Sequence, residues 1–380
     1  MEKRLPFHKP ALSELEGQYL LAALEERYWG GGAWVERLEA KLSELYKREA
    51  VVVSSGTAAL HLALTLLLGD KGGEVIVPTW TFTSTASEVI HAGGLPILSD
   101  VGETLHLTAE RVEELLTPHT KGIIVMHYGG VPAPLAELSE LCKQYSIWMI
   151  EDNCHAVPAY YQGKLCGTFG EISILSFHAT KPIAAGQGGA LLLQDKALAD
   201  RARRLRKHGI LRSPSTPWEY EVTEVGWNYC LSDFQAAVAL AQLEKLEENW
   251  QRRKKIAYLY RSLLSELPEI RLYPVQEPES SAWHLFPVFW EGEALLPREQ
   301  ILNNLYKRGF SLNIHYKPLH RHKAYRTYVR EGQKFPIADQ AYHKIFTLPL
   351  WPDMSNAAIE ALVEALTKEI KLARTYIPSR

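Results

Sequence analysis

A mainly parallel, seven-stranded α/β sheet with helices on both faces, followed by a smaller α+β region, is the fold this sequence predicts. Three observations predict it. Seven short apolar runs recur through the first half, at residues 50–55, 74–78, 96–100, 122–127, 147–151, 172–177 and 189–193. Helical patterns fall between many of them, as at 57–68, 85–92 and 135–145, and continuous apolar strands alternating with helices belong to a sheet covered on both sides. At 380 residues with 46% hydrophobic content, the chain can bury the core of about two domains, and its pattern changes beyond Asp195.

In chain order, residues 12–26 carry apolar side chains at helical spacing, and Gly30, Gly31 and Gly32 break the pattern. Trp34, Val35, Leu38, Leu42, Leu45 and Tyr46 mark the apolar face of a second helix, which leads into the β-rich run AVVVSS. The strand and helix alternation follows. After it come a helix over 196–207, a polar, proline-bearing loop over 208–224, and a long helical run from 232 to about 266 that bridges to the remainder. The rest mixes short strands, such as 283–289, with helices at 298–308 and 356–375. We place the division after residue 245, giving a large domain over 1–245 and a small α+β domain over 246–380. The polar stretch 276–281 is too short for an independent linker, and there are no repeats or low-complexity tracts.

Composition excludes several roles. Lysine and arginine total 42 against 44 acidic residues, a net charge of −2, so nothing favours nucleic acid or an anionic membrane as partner. The opening MEKRLPFHKPALSELEG lacks the apolar run of a signal peptide, and no apolar run is long enough to span a bilayer, which predicts a cytoplasmic protein. Cys142, Cys154, Cys166 and Cys230 form no CxxC pair, so neither a disulfide framework nor a zinc site is expected.

Four segments carry candidate chemistry at predicted strand exits. In SSGTAALHLAL, Gly56 allows a tight turn into a helix whose first amides, with the Thr57 hydroxyl, make a phosphate cradle; a plain capped helix reads the same way. In VPTWTFTSTAS, Trp80 and Phe82 can stack on a flat heteroaromatic ring or pack in the core. In IWMIEDNCHAV, a run of hydrophobes delivers Glu151 and Asp152 to the sheet edge, where a carboxylate is costly unless paired, with His155 three residues on. Asp152 can hold a pyridine nitrogen protonated and His155 can flank the ring; a capping carboxylate and a core histidine are the plainer readings. In ISILSFHATKPIAAGQGGA, Lys181 stands between a strand and a loop ending in Gly186, Gly188 and Gly189. It is placed to hold a carbonyl cofactor as a Schiff base, although most lysines are solvated surface charges. Phosphate cradle, stacking aromatic, carboxylate and lysine, in that order, are the four needs of pyridoxal 5'-phosphate (PLP).

SSGTAALHLAL, VIVPTWTFTSTASEVIHAGGLPILSDV, IEDNCHAV, LSFHATKPIAAGQGGALL and GWNYCLSDFQAA resemble, in order and spacing, the DegT/DnrJ/EryC1/StrS family of PLP-dependent sugar aminotransferases. The similarity extends to IHYKPLH and LPLWPDMS near the C-terminus. The resemblance implies a fold type I, aspartate aminotransferase-like architecture and a homodimer. It also implies a nucleotide-linked keto sugar as substrate, glutamate as amino donor, and ping-pong transfer through pyridoxamine phosphate. By motif position it makes Lys181 the Schiff-base lysine, Asp152 the partner of the pyridine nitrogen, and Gly56, Thr57 and Ser176 the phosphate ligands. Trp80 becomes the stacking ring and His155 the residue beside it. Asn228 is the residue sent to the partner subunit's phosphate, and His320 a substrate contact. Cys230 departs from the arginine frequent at its position, which puts that arginine's contact in doubt. His155 stands where many members have glutamine. Some relatives replace the lysine with histidine and act as sugar dehydratases, and Lys181 argues against that route. The competing readings are another fold type I enzyme, such as a dehydratase or amino-acid lyase, and a non-catalytic regulatory protein on the same fold.

Overall fold

The computed structural model describes residues 4–375 apart from 214, 278 and 279. Part of the polar stretch 276–281, the first three residues and the last five lie outside it. The chain begins with α1 (Glu14–Glu25) and α2 (Ala33–Tyr46). Ser13 and Glu16 form a reciprocal capping box at the start of α1. Gly32, preceding α2, has no side chain to cap with, and the Asp233 carboxylate accepts instead from the N–H groups of Gly32 (2.8 Å) and Trp34 (3.0 Å).

Then come β1 (Glu49–Val53), α3 (Gly56–Leu68), β2 (Gly73–Pro78), α4 (Ser84–His91), β3 (Gly94–Ser99), α5 (Ala109–Glu113), β4 (Thr120–Met126), α6 (Leu135–Tyr145) and β5 (Trp148–Asp152). A two-stranded ribbon, β6 (Tyr160–Tyr161) and β7 (Lys164–Leu165), precedes β8 (Ile172–Ser176), β9 (Gly189–Leu193) and α7 (Lys196–Leu205). The large sheet has seven strands in the order β1-β9-β8-β5-β4-β2-β3. Within it β9 alone runs against the rest, antiparallel to both β1 and β8. The other six strands therefore end at one edge, where open α/β sheets gather ligand-binding groups.

Period-two alternation divides the strands between two cores. Val51, Val53, Val75, Val77, Ile124, Ile150 and Ile174 pack against α3, α4 and α7. On the opposite face Ala50, Val52, Leu175 and Leu192 meet α2, while Ile76, Ile123, Val125 and Met149 meet α6. Every strand is apolar on both sides for this reason, which is why the seven runs stood out in the sequence.

Beyond α7 the expected loop over 208–224 is instead a hairpin, β10 (Ile210–Ser213) and β11 (Thr216–Val222), with a register shift at Arg212/Ser213. Trp218, Tyr220 and Val222 are exposed on it, so no buried stripe marked these strands. The expected single helix over 232–266 is two, α8 (Asp233–Glu244) and α9 (Leu246–Leu264), because Lys245 leaves helical geometry at φ −98°, ψ 11°. The remainder forms an antiparallel three-stranded sheet of β12 (Ile270–Leu272), β13 (Phe286–Trp290) and β14 (Ile345–Leu348), with α10 (Arg298–Lys307), α11 (Pro336–Lys344) and α12 (Asn356–Thr375). Its sheet, α9, α10 and α12 share a hydrophobic core of their own. The strand expected over 283–289 starts only at Phe286. The preceding residues bond elsewhere, Ala282 N–H to the Gly130 carbonyl (2.9 Å) and Leu285 N–H to that of Gly129 (3.0 Å), which ties this segment to the exit of β4.

Candidate active site

The exit of β1 forms the cradle. Ser55 is extended at φ −163° and its hydroxyl accepts from Ala58 N–H at 3.0 Å, so α3 starts at Gly56. The N–H groups of Gly56 and Thr57 lie in the first helical turn, where no carbonyl four residues back lies within the helix. A Cβ on Gly56 would stand 2.8 Å from Cβ of Ser176, and one on Gly189 would stand 2.6 Å from the Gly56 nitrogen. The end of β8, the start of β9 and the head of α3 therefore meet in one small space. Thr57 is exposed and Ser176 half-buried, and the Ser176 hydroxyl accepts from His178 N–H at 3.3 Å.

On β5 the pleat separates the two carboxylates. Glu151 is fully buried and accepts from Gly167 N–H (2.7 Å), Phe169 N–H (2.6 Å), Gly170 N–H (2.8 Å) and His127 Nε2 (3.2 Å). Burial alone would raise its pKa, but His127 and these amides hold it below the ordinary value. Asp152 is also buried, yet its carboxylate takes one in-chain hydrogen bond, from Cys154 N–H at 3.1 Å, and no ion pair among the described residues. Burial lowers the pKa of Lys181, while Cys154 and Asp152 act on it in the opposite sense. Lys181 as a whole is half-buried. Backbone bonds close the loop that carries it, Lys181 N–H to the His178 carbonyl (2.8 Å) and Ala179 N–H to that of Gly186 (3.1 Å), and Gly186 supplies the φ of +79° required there.

His155 is buried. Nδ1 accepts from Gly129 N–H at 3.3 Å, which leaves the proton on Nε2 facing the Tyr316 hydroxyl at 3.1 Å. Burial first, and then the Lys181 charge, keep its pKa well below the usual histidine range, so the ring is neutral. Trp80, expected as the stacking ring, is fully buried, with the Tyr128 ring perpendicular to it and the two centroids 6.1 Å apart. Phe82, from the same strand exit, is 52% exposed.

Two expected residues stand apart. Asn228 is exposed beyond the hairpin, and its amide makes no hydrogen bond to the cradle, although its neighbour Tyr229 accepts from Ser54 N–H at 2.8 Å. Both ring nitrogens of His320, expected as a substrate contact, are engaged within the chain. Nδ1 pairs with the Thr79 hydroxyl (2.7 Å), Nε2 with Asp339 (2.9 Å), and the ring stacks on Phe335 at 4.1 Å, latching this segment to the exit of β2. Tyr316 and His315 were missed although they lie in the quoted IHYKPLH. Only the fold brings Tyr316 onto His155 and sets His315 near Lys181, whose charge adds to burial in lowering the His315 pKa to about 3.

The donor set fits PLP. Free first-turn amides beside Ser176 suit a phosphate, a buried carboxylate without an ion-pair partner suits a protonated ring nitrogen, and a desolvated lysine suits the carbonyl. Fold and site together define a PLP-dependent aminotransferase of fold type I acting on sugars. Residues 10–367 match the DegT/DnrJ/EryC1/StrS aminotransferase family, and the chain belongs to it. The chain is 32% identical over 380 residues to the spore coat polysaccharide biosynthesis protein SpsC of Bacillus subtilis, with 97% of each covered. Helicobacter pylori PseC, an aminotransferase involved in the biosynthesis of pseudoaminic acid, superposes with a TM-score of 0.92 at 26% identity, covering 97% of this chain and 100% of PseC. Spr1654 of Streptococcus pneumoniae, 26% identical, has been solved in a PMP form and a PLP form with TM-scores of 0.91 and 0.90. Those matches cover 97% of this chain and 100% and 99% of the two Spr1654 chains. PLP and pyridoxamine phosphate are accordingly the cofactor forms of this enzyme.

Proposed function

We propose that the enzyme moves the amino group of glutamate onto the ketone of a nucleotide-linked keto sugar, by a ping-pong route, as a cytoplasmic homodimer. The observation that carries this reading is the presence together of Lys181, whose pKa burial lowers, and Asp152, a buried carboxylate with one in-chain donor. When bound, PLP supplies a carbonyl that condenses with primary amines and a ring that spreads the negative charge left when a neighbouring carbon loses a proton. Asp152 keeps the ring nitrogen protonated, which that spreading requires. Gly56 and Thr57 N–H, with the Ser176 hydroxyl, hold the phosphate. His155, neutral and fixed by Gly129 and Tyr316, orients the ring edge. Lys181 Nζ would hold the cofactor's carbonyl and, as a free amine, would take the proton from the donor α-carbon; its lowered pKa suits a base. The same atom serves the sugar half in reverse.

A nucleotide-linked sugar accords with the biosynthesis of pseudoaminic acid and of spore coat polysaccharide for which PseC and SpsC are described. The dimer accords with the exposed apolar residues of the hairpin, Trp218 at 75% and Val225 just beyond it at 88%, and with Leu21, Tyr28 and Trp29 on and after α1. Free Cys142, Cys154, Cys166 and Cys230 suit a reducing compartment, and among the described residues no helix is long and apolar enough to cross a membrane. The break at Lys245 and the separate core beyond it support the division into a large and a small domain. The test is incubation of the holoenzyme with glutamate and dTDP-, UDP- and GDP-linked keto sugars. Formation of 2-oxoglutarate with an amino sugar is expected, and its absence across the panel would overturn the reading.

A further inference from the structure

The turn that follows β4 is held by a buried histidine to which the reaction gives no part. His127 is fully buried, as is Glu151 beside it. Nδ1 of His127 accepts from Ala133 N–H at 3.1 Å, which leaves the proton on Nε2, 3.2 Å from the Glu151 carboxylate. The backbone of the same residue is bonded as well, its N–H to the Asp152 carbonyl (3.3 Å) and its carbonyl to Gly130 N–H (3.1 Å). One residue is thus tied at four points, to the two acidic residues that end β5 and to the turn over 128–133. With both ring nitrogens bonded where water does not reach, the ring cannot rotate without losing a hydrogen bond.

The turn so held meets His155. Gly129 adopts φ 67°, ψ 0° and Gly130 φ 93°, a backbone that L side chains seldom take. Gly129 N–H donates to His155 Nδ1 at 3.3 Å, and this bond puts the His155 proton on Nε2, 3.1 Å from the Tyr316 hydroxyl. A Cβ on Gly130 would stand 2.8 Å from the His155 carbonyl oxygen and 2.9 Å from Cβ of Ala282, so the turn is packed directly on the residue it orients. The Gly130 carbonyl accepts from Ala282 N–H (2.9 Å) and the Ser281 hydroxyl (3.2 Å), and His106 Nε2–H donates to the Val131 carbonyl at 3.0 Å.

We propose that His127 is a positioning residue for His155: anchored on Glu151, it fixes the turn whose Gly129 N–H sets the orientation and tautomer of the His155 ring. This deepens the aminotransferase reading above and rests on it. A neutral imidazole has one donor and one acceptor nitrogen, and its neighbours decide which is which. Among the described residues Gly129 N–H is the group bonded to His155 Nδ1. If the turn loosens, the ring is released to rotate or to carry its proton on Nδ1, and the donor at Nε2 is lost from the site. His127, buried with both nitrogens engaged, acts through that one backbone N–H rather than on a ligand.

The test is a double-mutant cycle of His127→Phe and His155→Phe, read on the full chain as kcat and KM for amine transfer and, independently of turnover, as the Kd for PLP. In the wild-type background His127→Phe should lower kcat about 10–100-fold with the donor KM little changed, and weaken PLP binding about 3–10-fold. In the His155→Phe background the same change should cost less than about twofold in either readout, because the ring it positions is gone. His127→Gln, still a donor to Glu151, and His127→Asn, still an acceptor for Ala133 N–H, should each recover part of the loss. Equal effects in both backgrounds would overturn the proposal, as would a lowered thermal midpoint with kcat and PLP affinity unchanged; either result makes His127 a core residue only. Should His127→Phe fail to fold, the Gln and Asn variants carry the same cycle. Should they fail too, a crystal structure of the wild-type enzyme with PLP bound decides it: Gly129 N–H bonded to His155 Nδ1 supports the proposal, and a broken bond refutes it. Wild-type enzyme that transfers no amine from any donor counts against the proposed function, while the PLP arm of the cycle still reads the coupling of His127 to His155.

Discussion

Adjacent residues on β5 show how a buried charge becomes either structural or chemical. Glu151 points to the side where the loop 167–170 and His127 supply four donors, and it is spent on holding that loop. Asp152 points to the other side, where Cys154 N–H and the field of Lys181 are what it meets. A carboxylate so sparsely satisfied has capacity for a cationic ring nitrogen. Asp152→Asn keeps an acceptor for Cys154 N–H and the side-chain volume, but loses the charge that holds the ring proton. Turnover should fall about 10²–10³-fold with PLP still bound and the thermal midpoint little changed. Steady-state kinetics beside cofactor absorbance check this, and a variant within about threefold of wild type would remove Asp152 from the mechanism. The sequence made both carboxylates conspicuous because a hydrophobic strand ended in them. It did not tell which one would be satisfied, since the donors to Glu151 are backbone amides placed by a later turn.

At the scale of elements, α1 is held by its cap. The Glu16 carboxylate accepts from Ser13 N–H and Oγ, both at 2.8 Å, and reaches across to Gln242 (2.5 Å) and Lys245 at the end of α8. Burial would raise its pKa, but Lys245 and Ser13 bring it from 4.5 down to about 2. The folded value lies below the unfolded one, so the stability it contributes is fully present above pH 4.5 and is lost as pH falls through about 2. Glu16→Gln should cost about 1–2 kcal/mol at neutral pH, and the deficit should shrink as pH drops across that window. Urea unfolding at a series of pH values tests this; a deficit constant down to pH 2 would assign it to the cap hydrogen bonds rather than the charge. Elements buried on both faces or on one clean stripe were legible in the sequence, as with all seven strands of the large sheet and the helix over 356–375. The β10–β11 hairpin was not, because its aromatic residues face outward and its prolines suggested a loop. The break between α8 and α9 was hidden because Lys245 is itself a good helix former.

For the whole molecule, the single chain brings together the cradle, Asp152, His155 and Lys181, all read from strand exits, because parallel strands deliver successive exits to one edge. What escaped was the far side of His155, where only the fold brings up the rings of Tyr316 and His284. Asn228 is the residue the chain leaves unused, exposed just past a hairpin whose apolar side chains also lack cover. A second copy seated on that face would bury the hairpin and carry Asn228 to the partner's cradle, so each site would draw on two chains. Lys181→Ala should then be inactive and Asn228→Ala should release PLP readily. A heterodimer of the two, co-expressed with different tags and purified through both, would gather both defects in one site and leave the other intact, giving about half the wild-type turnover per dimer at limiting PLP. If each site were complete within its own chain, both sites of that heterodimer would be defective, and its turnover at limiting PLP would not exceed half that of the Asn228→Ala homodimer.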